Sequence, residues 1–151
     1  MFTHSIDPIA FSLGSVDIYW YGLVYALGFL LTGWWIQREN LVPRKDVDFF
    51  LLSALVGMMI GSRLFTFVFW DFGTLLTDPV QIFNIRAGGM SFHGGFLGFV
   101  GGAYLYSKKR EIEFAPLADG LVFLGAMLLG IGRIANFVNA ELVGTVSSVS
   151  W

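Results

Sequence analysis

The sequence contains no cysteine, and its 151 residues include only two histidines, His4 and His93, and four prolines. The lack of cysteine excludes a thiol nucleophile, a structural disulfide and a thiolate metal site, and it leaves the redox compartment open. Two histidines so far apart do not by themselves indicate a metal cluster. The chemistry of this chain must therefore rest on its few other charged and polar residues.

Charge is also scarce. Only 13% of the residues are charged, the net charge is -2, and no basic stripe is present, so we expect no nucleic-acid partner. In contrast, 56% of the residues are hydrophobic and the mean hydropathy is +0.70. Phenylalanine and glycine are abundant, with 16 and 19 residues. This composition favours membrane helices that pack closely through small residues.

Four apolar segments have about the length needed to cross a bilayer core. Aromatic clusters at Tyr19–Tyr21 and Trp34–Trp35 flank the first of them, as is typical of membrane interfaces. We therefore predict an all-α polytopic transmembrane helix bundle, a single domain over residues 1–151, with its spans at residues 18–36, 49–70, 90–106 and 117–136.

The charges of the loops predict an orientation. Residues 1–17 contain no Lys or Arg, so they are not a cleavable signal peptide, and we expect an interfacial or short re-entrant segment. The loops at Arg44 and Lys109 are basic, whereas the loop at residues 71–89 is acidic on balance. The positive-inside rule then places the N-terminus outside. The start of the first span, Arg63, residues 88–95 and residues 133–141 would all lie at the outer leaflet.

Two of these outer-leaflet features have both an ordinary and a functional interpretation. Arg63 lies near the end of the second span, where it either snorkels to the headgroups or faces the bundle interior and binds an anion such as phosphate. Tyr21, with its aromatic neighbours, is either part of an aromatic belt or a hydroxyl that binds a lipid headgroup.

A polar strip follows the last apolar run. On a helix, Arg133 and Asn136 are neighbours at i, i+3, as are Asn136 and Asn139, and Glu141 joins them if the helix ends first. The alternative is an ordinary polar exit from the membrane. Because Asn, Asn and Glu gather around an arginine, we favour a functional site.

His93 lies between paired glycines, in Gly-Gly-Met-Ser-Phe-His-Gly-Gly at residues 88–95. The glycines leave room for backbone or ligand to come close. A lone histidine is often structural, but an imidazole also exchanges protons near neutral pH. Taken together, these features suit a protein that handles a phosphate-bearing lipid, and they also suit an anion-selective carrier.

The same stretches resemble the prolipoprotein diacylglyceryl transferase family. The residues that carry the resemblance are Gly-Arg-Ile-Ala-Asn-Phe-Val-Asn-Ala-Glu-Leu-Val-Gly at 132–144, the His93 segment at 88–95, Trp-Tyr-Gly-Leu at 20–23 and Gly-Ser-Arg at 61–63. Their order and spacing agree over nearly the whole chain. The long signature at 132–144 is the most specific of them.

The resemblance implies a bacterial inner-membrane enzyme whose active site opens to the outer leaflet. Such an enzyme transfers the diacylglyceryl group from phosphatidylglycerol to the lipobox cysteine of a prolipoprotein signal peptide, forms a thioether and releases glycerol-1-phosphate. No metal or organic cofactor is implied. The positions that match the family's functional residues are Tyr21, Arg63, His93, Arg133, Asn136, Asn139, Glu141 and Gly144.

These residue types suit that chemistry. A thiol becomes a strong nucleophile only as a thiolate, so a base is needed, and His93 is the candidate. Arg133, with Arg63, would stabilise the phosphate that leaves. Family members are considerably longer and continue past the signature, so the chain resembles their N-terminal portion. The alternatives are therefore a non-catalytic lipid-binding or anion-carrier protein, or an inactive fragment.

Overall fold

The computed structural model describes residues 6–84, 88–140 and 148. Most of these residues are helical, and each predicted span coincides with a long helix whose ends differ from the prediction by only a few residues. The elements, in chain order, are strands β1 (Ile9–Leu13) and β2 (Val16–Tyr19), then helices α1 (Trp20–Arg38), α2 (Val47–Phe69), α3 (Phe72–Thr77), α4 (Phe92–Arg110) and α5 (Phe114–Val138), with 3-10 turns at Arg44–Asp46 and Pro79–Phe83.

Two helical segments of the described chain, Arg44–Phe69 and Phe114–Val138, are long and apolar enough to cross a membrane. Only 22% and 17% of their most apolar stretches are buried, which favours a lipid-facing surface over the core helix of a soluble protein. α1 is rich in Trp and Tyr, and α4 is rich in glycine and ends in three basic residues. The structure is thus compatible with a membrane helical protein, while the four-span count and the external N-terminus stay predictions.

The N-terminal segment differs from the all-α prediction, because β1 and β2 form an antiparallel hairpin. Leu13 pairs with Val16 across a two-residue loop in which Gly14 has a φ of 63°. Hairpin loops of this length need a positive φ at one or both central residues, which glycine adopts without strain. Ser12 Oγ donates to the Asp17 carboxylate at 2.6 Å and reinforces the pairing. The all-α prediction is therefore incomplete.

The chain divides into two compact units, one formed by residues 1–35 with 121–151 and the other by residues 36–120. That the two units form the single domain expected from the sequence stays a prediction. In the second unit, α2 and α4 run antiparallel, and their backbones meet along a glycine seam formed by Gly57 and Gly61 on α2 and Gly94, Gly98 and Gly102 on α4. The close packing through small residues that the composition favours is confirmed for this helix pair.

The two ends of the α2–α4 pair differ in chemistry. At one end, Arg110 forms an ion pair with the buried Asp46 at 2.8 Å, and Tyr106 packs edge-on against Phe50 at 5.2 Å. This is the end that carries the basic loops. Arg63 and residues 88–95 lie at the opposite end, so within this unit these two features share an end, as predicted.

In the first unit, α1 and α5 also run antiparallel. A Cβ atom added at Gly28 would lie 3.7 Å from the Leu128 side chain, and the rings of Trp35 and Phe123 are 5.8 Å apart. The contact that lies later in α1, at Trp35, is the one that lies earlier in α5, at Phe123. These two contacts therefore show the antiparallel direction of the two helices.

Candidate functional site

His93 lies in the first turn of α4, and its position follows from the residues before it. Gly88 and Gly89 have φ values of 77° and 74°, which L side chains rarely adopt, and they turn the chain towards the helix. Ser91 then caps α4, because its Oγ accepts a hydrogen bond from Gly94 N at 3.4 Å. Two helix positions after this cap, His93 is held at the helix end.

The imidazole of His93 is exposed and lies between aromatic rings. It stacks on Phe65 of α2 with centroids 6.3 Å apart and an interplanar angle of 25°, and Phe92 contacts it edge-on at 5.7 Å. It lines an open cavity of about 320 Å³ together with Thr66, Trp70 and residues 89–92. Within the described residues no hydrogen bond to the ring is found. The interpretation of His93 as a structural histidine, held by a hydrogen bond to a carbonyl, is therefore not supported by these residues.

Arg63 is 6% exposed and lies in the last third of α2. Its guanidinium lies over the Phe67 ring, with Cζ 4.8 Å from the centroid. All five N–H groups have backbone carbonyl acceptors: Nε donates to Ile82 (2.9 Å), Nη2 to Gln81 (2.6 Å) and Asn84 (3.1 Å), and Nη1 to Gly88 and Gly89 (3.1 Å for the latter). It therefore does not snorkel, and binding an anion would require it to release some of these carbonyls.

The three described residues of the predicted polar strip lie on α5 or directly after it, in the other unit. Arg133 and Asn136 lie on α5, and Asn139 continues the helical hydrogen-bonding pattern, since its N–H donates to Ala135 O at 3.0 Å. Ala140 then adopts a φ of 54°, which ends the helix. Arg133 is exposed, whereas Asn136 and Asn139 are half-buried. Among the described residues, no carboxylate forms an ion pair with Arg133.

Tyr21 is half-buried in the first turn of α1. It belongs to the same compact unit as Arg133 and Asn136. Its hydroxyl lies 3.4 Å from that of Tyr25, one turn further along, and the two rings meet edge-on at 5.1 Å. Tyr25 was not predicted as a site residue. Its signal in the sequence is the i, i+4 spacing of two tyrosines inside an apolar helix.

The predicted site residues fall into two groups. Tyr21, Arg133, Asn136 and Asn139 lie in one unit, and Arg63 and His93 lie in the other. Glu141 and Gly144 lie outside the described residues. In the part of the chain that the structure describes, no cluster of three His, Cys, Asp or Glu side chains is arranged to hold a metal ion.

Comparison with known proteins identifies relatives for nearly the whole chain. A family model described as prolipoprotein diacylglyceryl transferase matches residues 8–151. Among curated proteins, the phosphatidylglycerol–prolipoprotein diacylglyceryl transferases of Vibrio vulnificus and Vibrio cholerae are each 39% identical over 152 residues, which cover 97% of this chain and 56% of each relative. The Aeromonas salmonicida protein of the same name is 38% identical over 151 residues. The chain thus spans a little over half the length of these relatives.

Proposed function

Because the chain belongs to the prolipoprotein diacylglyceryl transferase family, we propose that it acts in transfer of the diacylglyceryl group from phosphatidylglycerol to the lipobox cysteine of a prolipoprotein. In this reaction the cysteine sulfur forms a bond to the glyceryl carbon, the bond from that carbon to the phosphate oxygen breaks, and glycerol-1-phosphate leaves. The proposed setting is the bacterial inner membrane, with the site towards the outer leaflet.

The observation that carries the proposal is the exposed guanidinium of Arg133 beside two amides at the end of a long apolar helix. A membrane-inserted α5 brings this strip to headgroup depth, where a lipid phosphate is the available anion. Arginine presents paired donors that match phosphate oxygens, and Asn136 and Asn139 add neutral donors. We assign Arg133 to the phosphate that becomes the leaving group, where negative charge develops during the reaction.

For the other half of the reaction, we assign His93 as the base that accepts the thiol proton. Its ring lies open to the cavity beside residues 89–92, so a substrate thiol can reach it. Tyr21, in the same compact unit as Arg133, is assigned to hydrogen-bond the phosphate or the glyceryl oxygens. Glu141 and Gly144, which match the family signature, complete the proposed phosphatidylglycerol site.

The direct test is a transfer assay in nanodiscs that contain labelled phosphatidylglycerol, with a lipobox peptide as acceptor. We expect this chain to form the thioether product or, if residues beyond it are needed, to do so when it replaces the matching part of the Vibrio vulnificus relative. If both proteins bind phosphatidylglycerol but neither transfers the lipid, a non-catalytic lipid-binding protein is favoured instead.

The orientation has its own test. A reporter fused after Lys109 should be active on the cytoplasmic side, because the Arg44 and Lys109 loops carry the excess of positive charge. A matched fusion after Leu76, in the acidic loop, should report the external side. Reversed signals would overturn the proposal that the site faces the outer leaflet.

A further inference from the structure

The geometry points to Arg63 as a positioning residue that clamps residues 79–84 and 88–91 onto α2 and thereby sets the location of His93. The effect on catalysis rests on the proposed function, whereas the clamp itself does not. Five hydrogen bonds to five carbonyls, spread over residues 81–89, exhaust the donors of one guanidinium. A side chain with this arrangement organises a loop rather than offering a free fork to a ligand.

The acceptors on the N-terminal side of the clamp come from a short helix. The 3-10 turn Pro79–Phe83 ends next to Arg63. Carbonyls at the end of a helix attract cations, and those of Ile82 and Asn84 lie there, whereas Gln81 O also accepts from Asn84 N at 3.0 Å. Side chains hold this turn in shape, because Gln81 Nε2 donates to Asp78 at 3.1 Å and Asn84 Nδ2 donates to Gln81 Oε1 at 3.1 Å. The turn therefore presents its carbonyls in a fixed arrangement.

The acceptors on the C-terminal side connect the clamp to His93. Gly88 and Gly89 accept from Nη1 of Arg63, and Ser91 N donates to the carbonyl of the adjacent Ser62 at 3.2 Å. Ser91 is the cap of α4, and His93 follows it by two residues. Two consecutive residues of α2 thus fix the backbone just before the first turn of α4, which carries the imidazole.

The buried charge of Arg63 fits this role. Within the described residues no carboxylate pairs with it, so carbonyl dipoles and the face of Phe67 replace the water that the cation gives up. Arg63 lies in a helix long and apolar enough to span a membrane, where such a cation needs partners from the protein itself. Losing the loop would leave the charge without them, so loop and side chain hold each other in place.

The absence of cysteine in the chain allows a direct structural test. A nitroxide is attached at Phe83→Cys, an 81% exposed position between two of the acceptor residues, and its spectrum is compared in the parent and in Arg63→Lys. Lysine keeps the charge but has three donors at one point, so we expect loss of the immobilised spectral component. The matched label at Leu76→Cys, 70% exposed in α3 and outside the clamp, should keep its spectrum. An unchanged Phe83 label in a folded Arg63→Lys protein would overturn the clamp.

A second measurement follows His93 itself. In a His4→Gln background His93 is the sole histidine, so ¹⁵N-histidine labelling gives one set of ring signals. Arg63→Lys should shift or broaden them as the contact with Phe65 changes, whereas Arg44→Lys in the basic loop should not. If Arg63→Lys fails to fold, Gly89→Ala is used, since a Cβ there would strain a φ of 74° and lie 3.3 Å from Arg63 Nη1. Unchanged His93 signals would contradict the positioning role.

The kinetic signature separates a clamp from a phosphate ligand. The protein for this test is the full-length chimera, in which the chain replaces the matching part of the Vibrio vulnificus relative. In it, Arg63→Lys should lower kcat about tenfold, whereas the KM for phosphatidylglycerol should change less than about twofold. The reason is that the positioning of His93 is lost while the binding of the lipid is kept. A rise in KM with an unchanged Phe83 spectrum would assign Arg63 to the phosphate and overturn the proposal. The nitroxide and NMR measurements need no turnover, so the clamp can hold even where the proposed reaction fails.

Discussion

Arg133→Ala is expected to reduce diacylglyceryl transfer by at least about 10²–10³-fold, the usual cost of removing one donor from a developing negative charge. The physical reason is the leaving group, a phosphate monoester whose charge grows as its bond to the glyceryl carbon breaks. Arg133 is exposed, and no described residue forms an ion pair with it, so its removal should change stability little. The measurement is the transfer assay in the full-length chimera, alongside thermal unfolding.

Two variants make the Arg133 result specific. Arg133→Lys keeps the charge but loses the planar fork, so activity should fall between those of the parent and Arg133→Ala. Arg44→Ala removes an exposed arginine from the basic loop and should leave transfer unchanged. Near-normal turnover of Arg133→Ala would exclude Arg133 from stabilising the leaving phosphate. Equal losses in Arg44→Ala would point to a general effect of charge on membrane insertion.

The long helices were predictable from the sequence because their signal is local. Apolar runs bounded by charged loops mark α1, α2, α4 and α5 to within a few residues. The hairpin was missed because its strands are short, five and four residues, and its polar positions look like an interfacial segment. The two-residue loop at Gly14 was the available hairpin signal.

The helical positions of the candidate site residues were predictable from the sequence, whereas their contacts were not. The i, i+3 spacing gave the strip around Arg133 and Asn136, because helix geometry fixes which neighbours share a face. Arg63 shows the limit of this approach. Its acceptors are backbone carbonyls that lie 18 to 26 residues further along the chain, and no side-chain pattern encodes them. Only the folded loop distinguishes a buried clamp from an anion ligand.

Gly98→Ala is expected to lower the stability of the protein much more than Gly101→Ala, a second glycine substitution in α4. A Cβ atom at Gly98 would come closer than 3.0 Å to backbone atoms of Gly57, so the two helix backbones must separate. Overpacking of a well-packed interface typically costs about 1–3 kcal/mol, and a clash with backbone, which cannot change rotamer, should lie at or above the upper end. Denaturant unfolding in detergent micelles measures this loss.

Gly101→Ala provides the matched control, because it makes the same chemical change three residues away in the same helix. No atom lies within 4 Å of a Cβ placed there, so the variant should be neutral or up to about 1 kcal/mol more stable through helix propensity. Equal effects at the two positions would show that the seam does not determine α2–α4 packing. If Gly98→Ala alone lowers the stability strongly, we expect it to lower transfer activity as well. The same glycine seam continues to Gly61 and Gly94. There it holds the end of α4 that carries His93 against the turn of α2 that carries Arg63.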